Sequence, residues 1–186
     1  VISGSGAMDN YTGKDATPWA DYLKQIESVE IGKDITAIGN YAFAYATNVK
    51  TVTFEEGSKL EKIGAAAFLY TYATEVAIPD SVTLIGNLSF AYCSRLNKVI
   101  VPQNVTLIYP QSFKKSNNVV LNVATGTYAE TYVKTNGIAY ETRAFVDMVI
   151  AKGTCGENAT WTLYASGKLV ISGSGAMDNY TGKDAT

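Results

Sequence analysis

The sequence predicts a short α/β solenoid of about four coils, with short parallel strands and helical turns, flanked by a β-hairpin junction. Three observations carry that reading. Ile38-Gly39-Asn40-Tyr41-Ala42-Phe43 recurs as Ile63-Gly64-Ala65-Ala66-Ala67-Phe68 and Ile85-Gly86-Asn87-Leu88-Ser89-Phe90, with Ile108-Tyr109-Pro110-Gln111-Ser112-Phe113 as a degenerate fourth copy. Its phenylalanines are spaced 25, 22 and 23 residues apart, the length of one solenoid coil. Residues 170–186 repeat residues 1–17 letter for letter, at an offset of 169, so the chain reads as one long period plus the start of the next. Finally, 186 residues with 47% apolar and 17% charged side chains supply a core and little of the charge that accompanies disorder.

The elements follow in order. Residues 1–31 read as an N-terminal cap and lead-in. They begin in the middle of an element, because the second copy is preceded by Trp161-Thr162-Leu163-Tyr164 and a turn at Ala165–Lys168, a β-hairpin pattern. Trp161, Leu163, Leu169 and Ile171 can then share one face. In the first copy only the return strand is present. Val1 and Ile2 would therefore expose an edge unless another chain or a preceding module supplies the partner strand. The alternatives are an arbitrary boundary, or a tandem array or fibre whose modules join through this hairpin.

Residues 32–143 read as the solenoid with its C-terminal cap. Val52-Thr53-Phe54, Val76-Ala77-Ile78 and Val99-Ile100-Val101 alternate as short strands. Each Ile-Gly step suits a sharp corner through glycine's conformational freedom. Asn40 and Asn87 stand where they could cap a helical turn, and each Phe points inward. Thr51, Thr53, Glu75, Ala77, Lys98, Ile100, Val120 and Asn122 would face outward. Residues 128–136 have an amphipathic helical period stopped by Gly137, and Ile138–Tyr140 follows as a strand. Residues 144–186 read as a linker and the hairpin that begins the next 169-residue module.

In these blocks the chain resembles the BspA-like leucine-rich repeats of bacterial surface proteins. IGNYAFAYATNVKTVTF and IGNLSFAYCSRLNKVIVP carry the likeness, TYAETYVKTNGIAYE resembles the usual end of such an array, and GTCGENATWTLYASGKLVISGSGAMDNY resembles the segment that often precedes one. The sequence departs where Tyr109 replaces a Gly and where the coils ending at Ile78 and Val123 are one residue short. The resemblance implies an extracellular or cell-surface location and a role in adhesion or protein binding.

Composition narrows the chemistry. The chain has no His, which removes His-dependent triads and His-ligated zinc. A net charge of −2 gives no basic field for nucleic acid, and no apolar run is long enough for membrane insertion. No cofactor motif is visible: Ser3-Gly4-Ser5-Gly6 lacks the rest of a phosphate-binding loop, and Asp9–Asp15 lacks the acidic alternation of a calcium loop. No cofactor and no enzymatic activity are expected. The expected partners are neighbouring copies of the same module, or a host protein or glycan. Tyr45, Tyr70 and Tyr92 fall two residues after successive Phe residues and should stack as a column, either a binding stripe or a packing ladder. Cys93 and Cys155 read as a disulfide or as two separate small apolar thiols. Asn104 and Asn158, with Asn10, Asn87 and Asn179, begin glycosylation triplets.

Overall fold

The structure is a computed structural model that describes residues 1–178. It divides into two compact units, Val1–Phe145 and Val146–Thr186. In the first unit the strands are β1 (Gly6–Ala7), β2 (Ser28–Ile31), β3 (Ile35–Ile38), β4 (Thr51–Phe54), β5 (Lys62–Ile63), β6 (Glu75–Ala77), β7 (Leu84–Ile85), β8 (Lys98–Ile100), β9 (Leu107–Ile108), β10 (Val120–Ala124) and β11 (Tyr140–Arg143), with helix α1 (Tyr128–Asn136) before β11.

These strands form a parallel β-solenoid. One face runs β1-β3-β5-β7-β9. The other runs β2-β4, then β6-β8-β10-β11, and the Thr74 N–H bridges the two parts by donating to Lys50 O. The period-2 pattern sets which side chains enter the core. Val52, Val76, Val99 and Leu121 are buried, while Thr51, Thr53, Glu75 and Ala77 are exposed. On the opposite face Ile38, Ile63, Ile85 and Ile108 form a buried column. With five strands on that face the solenoid is longer than the four coils expected. Residues 1–31 are part of the stack, because β1 pairs with β3 and Ile2 bridges in parallel to Ile31.

An aromatic spine runs through the core. Trp19, Phe43, Phe68, Phe90 and Phe113 stack in sequence at centroid separations of 5.6, 5.3, 5.3 and 5.6 Å. Tyr11 closes one end edge-on to Trp19 at 5.8 Å, and Tyr132 closes the other at 6.5 Å from Phe113. Trp19 thus takes the place of Phe in its coil. Its indole N–H donates to Ala42 O at 2.8 Å, which joins it to the hydrogen-bonded row of the turns.

The turns around each Phe are not helical, contrary to expectation. A helix would direct their N–H groups back along the same coil. Here they cross to the next coil: Tyr41, Phe43 and Tyr45 donate to Ala65, Ala67 and Leu69, and Ala66, Phe68 and Tyr70 donate to Asn87, Ser89 and Ala91. Asn40 is accordingly an inter-coil bridge and not a helix cap. Its Oδ1 accepts from Ala65 N–H at 2.7 Å, and its own N–H donates to Asn10 Oδ1 at 2.9 Å.

The corner glycines have a different cause from the one expected. Gly39, Gly64 and Gly86 do not have positive φ. They are required because coils touch there: a Cβ on Gly64 would lie 2.7 Å from Asn40 N, and one on Gly39 only 1.7 Å from Asp9 O. At the degenerate corner Tyr109 N–H still donates to Ile85 O at 3.1 Å, so the row continues through it.

Helix α1 closes the stack, and among the described residues it is the only α-helix. Thr127 accepts the Glu130 N–H, and Glu130 accepts the Gly126 N–H in return, a reciprocal cap. Gly137 ends the helix at φ 63°, a left-handed position that favours glycine. Arg143, the last residue of edge strand β11, reaches inward across the sheet and donates to Asn122 O and Val101 O at 2.7 and 2.6 Å.

The second unit is an antiparallel sheet of β12 (Val149–Gly156), β13 (Ala159–Tyr164) and β14 (Leu169–Gly173). The stretch before the hairpin, expected as a linker, is therefore a third strand, and Cys155 lies within it.

Two tests follow from the core. Gly64→Ala should lower unfolding stability by about 3 kcal/mol in urea titration, since its Cβ meets backbone that neighbouring coils hold in place. The second concerns Tyr132, whose phenol burial pushes up to about 12, with the Tyr128 charge adding to the rise. The unfolded phenol ionises near its ordinary value of 10 while the folded one keeps its proton, so stability should fall as pH rises from 10 to about 12. Thermal melts of Tyr132→Phe across that range should show a shallower alkaline decline than the parent chain.

Candidate functional site

Three surfaces are candidates: the tyrosine column, the outer sheet face, and the strands at the repeated segment. The column is real in space. Tyr45 stacks on Tyr70 at 4.9 Å and Tyr70 on Tyr92 at 4.7 Å. The rings cover a small satellite core of Ala44, Ala66, Leu69 and Ala91, with Tyr41 and Leu88 beside them. Tyr45 is 41% exposed and Tyr70 and Tyr92 are half-buried, so the stack both packs and presents aromatic surface.

Sequence reading missed the backbone that makes the column. Tyr45, Tyr70, Tyr92 and Lys115 have φ of 63, 61, 57 and 61°, and Tyr41, Ala66 and Leu88 have φ of 57, 53 and 58°. These left-handed residues stand two before and two after Phe43, Phe68 and Phe90, and at Phe113 only the one after it, Lys115, is left-handed. Each costs about 1–2 kcal/mol in a residue with a Cβ. They are held because they aim N–H groups at the next coil, and the tyrosine stacks return about 0.5–1.5 kcal/mol per pair. The fixed offset from Phe was the available signal, but nothing in the residue types announces positive φ.

The outer sheet face carries Thr51, Thr53, Glu75, Ala77 and Ile100 exposed, with Lys98, Val120 and Asn122 half-buried. It is mixed in chemistry. Nearby, Arg95 lies over the Tyr72 ring at 4.6 Å, a pair that sequence reading did not single out. Cys93 and Cys155 are both buried free thiols and not a disulfide. Cys93 Sγ donates to Phe68 O at 3.2 Å and burial pushes its thiol pKa up, which disfavours the reactive thiolate. Asn104 and Asn158 are exposed, and the Asn104 amide donates to Asp80 O at 2.9 Å. Asn179 lies outside the described residues.

At the repeated segment, Trp161 pairs opposite Ile171 and Leu163 opposite Leu169, so these four side chains share one face of the sheet. Leu169 and Ile171 are 56% and 47% exposed. The first copy is paired differently from expectation. Ile2 is not an unpaired strand awaiting a hairpin: its N–H donates to Glu30 O and its carbonyl accepts from Gly32 N–H, both at 2.8 Å. Its parallel partner is β2 of the same chain, because the lead-in belongs to the solenoid. Val1 beside it is exposed. Among the described residues no group of three His, Cys, Asp or Glu is placed to hold a metal ion, and no helix is long and apolar enough to cross a membrane.

Residues 21–133 match the BspA type leucine-rich repeat region in six copies. The chain belongs to this family. Among solved structures it is similar to a leucine-rich repeat protein from Eubacterium ventriosum ATCC 27560, with 26% identity and a TM-score of 0.53. That likeness covers 66% of this chain and 38% of that one. A leucine-rich repeat protein of T. pallidum matches at 18% identity and TM-score 0.43, over 76% of this chain and 88% of that chain. A leucine rich cell surface protein from Faecalibacterium prausnitzii A2-165 matches at 17% identity and TM-score 0.36, over 91% of this chain and 51% of that chain. No curated protein matches significantly in sequence.

The left-handed backbone gives a direct test. Lys115 is exposed, ends the tyrosine column and holds φ 61°. Lys115→Gly should raise stability by roughly 0.5–1 kcal/mol in denaturant titration, the reverse of the usual effect of introducing glycine. Tyr70→Gly should lower it, because the stacking on both sides is lost.

Proposed function

We propose that this chain is a structural repeat module of a bacterial cell-surface fibre or large tandem-repeat adhesin, whose modules join by strand completion at the hairpin. One observation carries the reading. The seventeen residues that open the solenoid recur after a full period, beginning inside β14, the return strand of the hairpin. A chain that restarts its first-coil sequence within the return strand of a hairpin is organised to continue. The exposed apolar side chains of Leu169 and Ile171 support the same reading, since strands with an open apolar face associate. Family membership supports the surface location, through the resemblance to repeats of bacterial surface proteins.

A second reading has its own support. The Tyr45–Tyr70–Tyr92 stack offers a rigid aromatic stripe, a surface suited to the faces of sugar rings or to a host protein. In that reading the chain is a leucine-rich repeat binding module.

Antibody raised against the chain tests the first reading on intact source cells. Labelling without permeabilisation, with an immunoblot band several periods in length, is the expected outcome. Labelling only after permeabilisation, or a band of single-period mass, would count against it. A glycan array probed with the chain and with Tyr45, Tyr70 and Tyr92 changed to Ser tests the second, which requires binding that the substitutions remove.

A further inference from the structure

The two copies of the repeated segment match in their glycine geometry but use opposite edges. Gly4 and its counterpart Gly173 have φ of 123 and 119°, and Gly6 and Gly175 have φ of 90 and 96°. In the first copy the N–H groups of Ile2, Gly6 and Met8 donate to Glu30, Asp34 and Ala37 of the solenoid. In the second copy Ser174 N–H donates to Asn158 O at 3.0 Å and Asp178 N–H to Cys155 O at 2.8 Å, both in the hairpin unit. Their counterparts in the first copy are Ser5 and Asp9, neither of which is among the donors used there.

The register of the hairpin extends the pattern. Tyr164 N–H donates to Lys168 O, so that pair is hydrogen-bonded. Antiparallel pairs alternate, so Thr162↔Val170 and Thr160↔Ser172 are bonded and Trp161↔Ile171 is not. The N–H and carbonyl of Ile171 therefore point away from β13. Those are the same two groups that bind β2 in the first copy, where they belong to Ile2.

The side chains agree. Ile2 and Met8 are partly buried against the solenoid core. Ile171 and Met177, the identical residues one period later, are 47% and 48% exposed. One segment thus carries two edges, each shown bonded in one copy and with no donor used twice.

We propose that residues 170–178 form a strand shared by two units. One edge completes the β12–β13 hairpin, and the other starts the first coil of a second copy of this chain's solenoid. The occupant is that second copy because the same sequence in the same conformation is already seated on such a coil at residues 2–8. The sheet then runs β12-β13-β14 into β2 of the following unit, changing from antiparallel to parallel at one strand. The hairpin also covers what would otherwise be the open edge of that unit. This rests on the tandem reading above only in taking the second unit to be a copy of the first.

A two-unit chain, residues 1–186 continued by a second 18–186, tests the strand itself. Amide exchange measured by NMR reads Ile171, Gly175 and Met177, the counterparts of Ile2, Gly6 and Met8. In the two-unit chain these amides should exchange at least about 100-fold more slowly than in the 186-residue chain. Ile171→Pro supplies the control. It removes an N–H that points away from the hairpin, so Ser172 and Ser174 should stay protected while Gly175 and Met177 lose their protection. Equal rates in the one- and two-unit chains would overturn the proposal, as would full protection of Gly175 and Met177 already in the 186-residue chain. Single-period mass on the source cells would end the tandem reading while leaving this result intact, so the two failures are distinguishable.

Discussion

The constraint on which this structure depends is that each coil satisfies its backbone along the solenoid axis rather than within itself. A buried peptide group without a partner costs about 1–3 kcal/mol, more than the ~1 kcal/mol that a made hydrogen bond contributes. Strands of two to five residues cannot form a stable sheet alone. Their polar groups therefore become tolerable only when another coil lies against them on the strand faces and at the turns. The turn row, from Tyr41, Phe43 and Tyr45 onward, is what rules out helix at these positions. An N–H that is committed to the next coil is lost to its own.

Other features follow from that commitment. Coils close enough to exchange backbone hydrogen bonds leave no room for a Cβ at the corner, which fixes Gly39, Gly64 and Gly86. Aiming alternate N–H groups along the axis places left-handed residues on both sides of Phe43, Phe68 and Phe90 and after Phe113, and the aromatic stacks inside and outside the turn help to hold that strained backbone. The ends of the stack need groups that supply hydrogen bonds without continuing the coil. The Trp19 indole does so at one end, where Ala42 O would otherwise lack the donor that Phe supplies in later coils. At the other end Arg143 of edge strand β11 ties that strand to its neighbours, donating to Asn122 O and Val101 O.

Much of this was legible in the sequence because period is a one-dimensional property. The spacing of Ile, Gly and Phe gives the coil, the alternation at Val52, Val76 and Val99 gives the inward face, and the tyrosine offset gives a column that does stack. What was not legible depends on partners distant in sequence. Asn40 reads as a cap because a cap is the local use of Asn, whereas its partners are Asn10 and Ala65. The two-residue strands β5, β7 and β9 are too short to alternate visibly. Strand β12 includes Gly153 and Gly156, which mask its pattern. Gly153 is explained by the Trp161 ring lying against it, 2.9 Å from where a Cβ would stand.

The segment at both ends of the period shows why sequence identity did not imply identical pairing. A strand fixes which of its backbone groups point left and which point right, but it does not fix what meets them. Residues 2–8 have a coil on one side, and residues 170–178 have a hairpin on the other. The glycine geometry is the same in both, although the partners differ. The segment's conformation is set locally, by glycines at positive φ, and each edge is then available independently. A strand of that kind can link two architectures whose strand directions disagree, since antiparallel and parallel pairing place their demands on different atoms. A solenoid that ended in a generic loop would have to close its first coil anew in every module. In the proposed arrangement, a strand with both edges specified transmits its register from one module to the next.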